Sequence, residues 1–314
     1  VTEKLRILFM GTPEFAIPSL EALKKYNIVA AVTQVDRPKG RGLKVSSSPV
    51  KQWAIKNGIS VLQPEKLKDE EVIAEFKKLA PDYIVVASYG KILPPRVLEI
   101  PAKLPLNVHP SLLPKYRGPA PVPWTLINGE KVTGVTIFEM DEGMDTGRIL
   151  YQEKIEIKEN ENAEELLKKL SVLGASALIK TIEGLENGTI APKEQEHAHA
   201  TYAPMLKKED GLIRWEITAE EIHNRIRGMN PWPGCYTYLD GKLLKVWSSR
   251  FVSENYSEEP GTVVEIKNGE ILVQTGRGVL CILELQLEGR KRMNSKEFLL
   301  GHRIKKGVKL GERI

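Results

Sequence analysis

Apolar residues in the first half of the chain come in short continuous runs, the pattern of strands buried on both faces of a parallel sheet. The first run is Ile7-Leu8-Phe9-Met10. Gly11-Thr12-Pro13 turns the chain into a helix reaching to about Lys25, with Ala16, Leu20 and Leu23 at helical spacing. A second strand follows at 28–35, which makes a βαβ opening. Helices are predicted at 50–57 and 69–79, and strands at 59–62 and 83–88. Further on, strands at 132–138 and 149–157 bracket a turn-rich loop, and 162–185 is the clearest amphipathic helix. From about 210 the grammar changes. A helix at 219–227 precedes short strands at 235–239, 243–251, 261–266, 271–275 and 278–287, linked by Gly, Asn and Asp turns. The expected fold is α/β: a mostly parallel, Rossmann-like sheet with helices on both faces, then a small OB-like β-barrel. The expected boundaries are 1–189 for the first domain, 190–209 for a linker or strap and 210–314 for the barrel.

Between two of these strands lies the stretch around which the chain is organised, Leu106-Asn107-Val108-His109-Pro110-Ser111-Leu112-Leu113-Pro114-Lys115-Tyr116-Arg117-Gly118. Its start alternates with period 2, so Leu106 and Val108 face a core while Asn107 and His109 share the opposite face. Pro110 ends the strand. In an open α/β sheet that C-terminal end is where ligands bind. The loop Met140-Asp141-Glu142-Gly143-Met144-Asp145-Thr146-Gly147 supplies a third polar group, Asp145. An amide donor, an imidazole and a carboxylate serve oxyanion stabilisation and proton transfer. No G-x-S-x-G elbow is present. A nucleophile arriving on the substrate, such as an amine attacking an activated acyl group, fits such a set.

With 314 residues, two domains are expected. The formal charge of +5 is a mild basic bias, but it is unevenly spread. Arg37, Lys39, Arg41 and Lys44 crowd a loop punctuated by Gly40, Gly42 and Pro38, which reads as exposed and mobile and as an arm for phosphates. The tail from 290 onward, with Arg290, Lys291, Arg292, Arg303, Lys305 and Lys306, carries nine Lys or Arg against Glu297 and Glu312. Cys235 and Cys281 form no CxxC pair, which suits a reducing, cytoplasmic setting. No H-E-x-x-H is present, and no metal is expected. No apolar run approaches the roughly 20 residues of a membrane span, and the N-terminus does not read as a signal peptide. After Gly11 come Thr12, Pro13 and Glu14 in place of G-x-G-x-x-G, so a dinucleotide site is poorly supported. Trp232 reads as a packing residue.

The Asn-x-His-Pro-Ser core with Leu112-Leu113-Pro114, Tyr116-Arg117-Gly118 and the later Asp141–Gly147 loop resembles the folate-dependent formyltransferase family. Supporting segments are residues 10–15, 37–44 and 48–51, Ala200-Thr201-Tyr202-Ala203-Pro204 and Pro231-Trp232-Pro233-Gly234, so the resemblance spans essentially the whole chain. It implies catalysis by Asn107, His109 and Asp145, with 10-formyltetrahydrofolate as formyl donor. The folate would lie against Ser88, Tyr89, Gly90, Ser111, Leu112, Leu113, Pro114 and Asp141. Among members of the family it points to those acting on methionyl initiator tRNA, with Arg41 a principal contact and the basic tail a second one, and to a monomer. A small-amine formyltransferase and a 10-formyltetrahydrofolate hydrolase use the same three residues. A non-enzymatic RNA-binding protein would leave them idle.

Overall fold

The computed structural model describes residues 4–39 and 44–311. The chain forms two compact units. The first comprises residues 1–121, 132–155 and 167–203; the second comprises residues 122–131, 156–166 and 204–314.

The opening βαβ unit is β1 (Arg6–Gly11), α1 (Ile17–Leu23) and β2 (Asn27–Val32). The basic stretch then differs from an irregular loop. Residues β3 (Arg37–Lys39) and β4 (Lys44–Ser46) pair antiparallel, Arg37 opposite Ser46, as a two-stranded arm. Arg41 lies outside the described residues. The feet of the arm are tied. The Thr33 and Ser48 hydroxyls meet at 2.7 Å, and Asp36 accepts from Lys51 Nζ at 2.5 Å and Gln63 Nε2 at 3.0 Å. These bonds hold the Asp36 carboxyl below its usual range, Lys51 contributing most.

Next come α2 (Pro49–Lys56), capped by the Ser48 hydroxyl, β5 (Val61–Leu62), α3 (Glu70–Lys78) and β6 (Tyr83–Ala87). The order continues with α4 (Pro95–Leu98), β7 (Leu104–His109), α5 (Pro121–Ile127), β8 (Val132–Glu139), β9 (Ile149–Glu156) and α6 (Ala163–Glu186). Seven strands form one sheet in the order β5-β2-β1-β6-β7-β8-β9. The pairs from β5 to β7 are parallel, and β7 with β8 is antiparallel. Central β6 is buried at every position, as its unbroken apolar run requires. Leu8, Met10, Ile84 and Val86 pack with Ile73 and Phe76 of α3 and Val97 of α4. On α6, a Cβ at Gly174 would lie 2.7 Å from Val108, so this helix approaches β7 closely.

The second unit holds α7 (Ala219–Gly228), capped by a reciprocal Thr218–Glu221 box. Its strands are β10 (Cys235–Leu239), β11 (Lys242–Val252), β12 (Val263–Lys267), β13 (Glu270–Gln274), β14 (Val279–Leu287) and β15 (Met293–Asn294), followed by α8 (Ser295–Gly301). They form an antiparallel sheet ordered β10-β11-β14-β13-β12, with β15 on β14. Register shifts between Val246 and Ser249 bend the long β11. Val246, Ile271, Val273, Leu280, Ile282 and Phe298 lie in its core. Trp232 departs from expectation: Pro233 and Gly234 are buried, while the Trp232 ring is turned outward and 53 % exposed.

Where β8 passes β9, a Cβ on Gly134 would stand 2.1 Å from the Glu153 carbonyl oxygen and 2.7 Å from Leu112. Backbone cannot yield as a flexible side chain can. Gly134→Ala is expected to cost about 1–3 kcal/mol, read as a lower denaturant midpoint at unchanged slope.

Candidate active site

The site begins at the C-terminal end of β7, where the alternation has the expected consequence. Leu106 and Val108 are buried in the sheet, and Asn107 and His109 share its other face. Asn107 stands opposite Val86 of β6 and Phe138 of β8; His109 stands opposite Thr136. The Phe138 ring meets the His109 imidazole edge-on at 6.4 Å.

His109 Nε2 lies 3.0 Å from the Tyr116 carbonyl oxygen. A carbonyl only accepts, so Nε2 carries a hydrogen. Nδ1 therefore faces the other way, toward Asp145 Oδ2 at 3.7 Å. That separation is too long for a direct hydrogen bond.

Asp145 sits in the loop between β8 and β9 with φ +56°. Its Oδ2 accepts from the Gly118 N–H at 2.7 Å. The neck of the loop is tight: Glu139 N–H donates to the Arg148 carbonyl, and a Cβ at Gly147 would fall 1.8 Å from the Glu139 oxygen. Asp141 braces the loop by accepting from Gly143 N–H and the Thr146 hydroxyl.

The segment joining His109 to Gly118 hangs on Thr136. Its hydroxyl donates to the Ser111 carbonyl and accepts from Leu113 N–H and Gln152 Nε2. Gln152 Nε2 also reaches the Leu113 carbonyl. The Ser111 hydroxyl is buried and donates to the Lys115 carbonyl at 2.7 Å, so it is committed to holding the loop. Leu112 and Pro114 are half-buried and Leu113 is buried. After β6, Ser88 and Gly90 are exposed at positive φ. Between them the Tyr89 side chain turns into the core, where its hydroxyl has no partner among the described residues and burial pushes its pKa up to about 12. Its carbonyl accepts from Thr12 and Gln34.

Several residues that order the site are absent from the expected set. Stretch 190–203 runs along the site's loops. Lys193 pairs with Ile149, Arg117 N–H donates to the Thr201 carbonyl, and Ala203 N–H donates to the Arg117 carbonyl. Gln195, buried, donates to the carbonyls of Asp145 and Gly147 and accepts from the buried Arg117 guanidinium. A polar, proline-dotted stretch gives no periodic signal for such contacts. Arg117 was visible only as part of a motif.

In the second unit, Arg290, Lys291, Arg292, Arg303, Lys305 and Lys306 are all exposed. Arg292 pairs with Glu284 and lies over the Trp247 ring, with Lys245 also 5.1 Å from that ring's centre; Lys306 pairs with Glu258. Among the described residues, Arg290, Lys291, Arg303 and Lys305 have no carboxylate partner. Arg37, Lys39 and Lys44 lie on the two-stranded arm. Among the described residues no His, Cys, Asp and Glu cluster is placed to hold a metal, and no helix is long and apolar enough to cross a membrane.

Residues 4–182 match the family described as formyl transferase, and residues 205–303 its C-terminal domain. The chain is 50 % identical over 307 residues to a methionyl-tRNA formyltransferase of Caldanaerobacter subterraneus subsp. tengcongensis, covering 97 % of this chain and 99 % of the relative. It is 49 % identical over 311 residues to that of Acetivibrio thermocellus, covering 98 % and 100 %. Among solved structures, the sugar 3N-formyl transferase WlaRD with dTDP and 5-N-formyl-THF shares the fold. Its TM-score is 0.67 at 20 % identity, over 92 % of this chain and 100 % of the other. HypX from Aquifex aeolicus in complex with tetrahydrofolic acid has a TM-score of 0.61 at 17 % identity, over 95 % and 47 %. With one relative after another matched over nearly its whole length, the chain belongs to the methionyl-tRNA formyltransferase family and is a formyl-transfer enzyme.

Proposed function

We propose that the chain moves the formyl group of 10-formyltetrahydrofolate to the α-amine of methionine esterified to initiator tRNA, with Asn107, His109 and Asp145 at the reacting atoms. The observation that carries this is the His109 imidazole set between the Tyr116 carbonyl and the Asp145 carboxylate. Beside it the serine of the motif, Ser111, is tied to the Lys115 carbonyl. The site thus offers acid, base and amide donor but no nucleophile of its own, and the attacking amine comes with the acceptor.

The donor supplies an activated formyl carbon. The residues present suit a flat, mostly apolar ring with polar edges. Ile92 is 79 % exposed and Met144 53 % exposed, and the Ser88–Gly90 backbone is open on either side of buried Tyr89. Ser88, Tyr89 and Gly90 through their backbone, the Ser111–Pro114 loop and Asp141 would hold it. As the C–N bond to the amine forms, negative charge grows on the formyl oxygen. The Asn107 amide would donate to that charge. Asp145, with Oδ2 held by Gly118, takes the proton the amine loses and passes it to His109 Nδ1, which returns it to the departing folate nitrogen. Each proton lost by the amine is matched by one gained by the folate.

The arm bearing Arg37, Lys39 and Lys44, Arg41, which lies between them in sequence, and the exposed cations Arg290, Lys291, Arg292, Arg303, Lys305 and Lys306 form the tRNA-binding set. Arg can grip phosphates in bidentate fashion, and contact would be mainly to phosphate and shape. The enzyme works as a monomer in a reducing, cytoplasmic setting, as the free thiols Cys235 and Cys281 suit.

The direct test is formyl transfer from 10-formyltetrahydrofolate with initiator Met-tRNA, glycinamide ribonucleotide, an amino sugar nucleotide and water as acceptors. Formyl-Met-tRNA is expected, with the others near background; equal transfer to a small amine or water would sink the tRNA reading. Asn107→Ala, His109→Ala and Asp145→Ala should each lower kcat by about 10²–10⁴-fold while folate binding persists. Arg41→Ala should lower kcat/KM for charged tRNA by about tenfold or more at unchanged folate affinity, since a lost charge-assisted contact is worth over 1.4 kcal/mol. Affinity for tRNA should fall steeply with salt.

A further inference from the structure

Asp145 holds a backbone conformation that residues other than glycine visit seldom, Asp more readily than most. At φ +56° it lies in the left-handed region, where an L side chain crowds its own carbonyl. Gln195 keeps it there. Its Nε2 donates to the Asp145 carbonyl at 2.9 Å and to the Gly147 carbonyl at 2.7 Å, using both hydrogens. Its Oε1 accepts from Arg117 Nε at 3.2 Å and Nη2 at 2.7 Å. Gln195 is 4 % exposed and Arg117 2 %.

Among the described residues the Arg117 guanidinium meets no carboxylate; its other side-chain acceptor is His197 Nδ1 at 3.0 Å. Burying a cation against neutral acceptors is costly, and here it has a directional effect. A guanidinium only donates, so the amide must present its oxygen to Arg117 and its NH₂ to the two carbonyls. The amide cannot flip. Gly118 N–H holds the carboxylate from the other end. The Asp145 backbone and side chain are thus fixed separately, and the 3.7 Å approach to His109 Nδ1 depends on both.

We propose that Gln195, oriented by buried Arg117, is a positioning residue for formyl transfer that locks the Asp145 backbone so that its carboxylate meets His109. It touches no reacting atom. The inference rests on Asn107, His109 and Asp145 being the formyl-transfer site.

The test is Gln195→Glu, which keeps size and the Arg117 contact but removes both N–H donors and turns an acceptor toward the two carbonyls. Gln195→Met, which removes all polarity, is read beside it. For each variant kcat and KM for formyl transfer to Met-tRNA, the binding stoichiometry of tetrahydrofolate and the unfolding temperature are measured. Gln195→Glu should lose about 10–100-fold in kcat, the scale of a misplacement near 1 Å at the reacting atoms. KM for both substrates should stay within about twofold and folate stoichiometry should not change. In an Asp145→Asn background, followed by single turnover, adding Gln195→Glu should change the rate little, because the two residues act as a unit. Parental kcat, full multiplicative loss on top of Asp145→Asn, or a kcat loss equal to the lost folate sites would each overturn the proposal. So would failure of both variants to fold, which assigns Gln195 to structure alone. If the parent transfers no formyl group, the site reading itself fails; if it does and Gln195→Glu matches it, only the role of Gln195 fails.

Discussion

Three consecutive residues carry the geometry of this site. Tyr116 gives its carbonyl to His109, Arg117 its guanidinium to Gln195, and Gly118 its N–H to Asp145. They can do so because Tyr116 at φ +61° and Gly118 at φ +110° reverse the chain on either side of Arg117, so successive groups leave in different directions. The tripeptide is clamped in turn, with Arg117 exchanging backbone hydrogen bonds with Thr201 and Ala203. The His109 imidazole, the Asp145 carboxylate and the Gln195 amide therefore share one rigid reference, the kind of preorganisation that catalysis needs.

That reference is tied to the sheet through a few buried polar atoms. Thr136, on the strand beside His109, holds Ser111, Leu113 and Gln152 with one hydroxyl. Buried polar groups are tolerable only when paired, and such a web fixes one conformation where an apolar loop core would allow several. The antiparallel β8 brings part of this about, since it puts Thr136 directly opposite His109; the loop that leaves it at Glu139, opposite Leu106, folds back to bring Asp145 within 3.7 Å of His109.

In the second unit the basic tail is partly spoken for. Arg292 and Lys306 are engaged with Glu284 and Glu258 at the surface. Exposed ion pairs of this kind are weak, so a polyanion can displace the glutamates at little cost. The Trp247 ring fixes where one of those cations, Arg292, sits, and holds Lys245 of β11 as well. The net charge of the chain says nothing about this arrangement.

Much of the fold was legible because it rests on local periodicity. The continuous run of β6, the alternation of β7, the amphipathic α6 and the spaced strands of the second unit can each be read from neighbours in sequence. Asn107 and His109 were legible for the same reason, two polar residues at period 2 before a proline, and Asp145 because three acids and two glycines mark a loop. The pairing of residues 37–39 with 44–46 was not legible, since charged and glycine-rich residues carry no strand signal. Nor were the inward turn of Tyr89 and the outward turn of Trp232, which depend on what packs around them. The sequence by itself determined that Asn107 and His109 leave one face of a strand end and that Asp145 stands in a turn-rich loop. Only the tertiary structure decided that Arg117 and Gln195, 78 positions apart, meet beneath Asp145. Hydrogen bonds between irregular segments have no period, so nothing in the order of residues announces them.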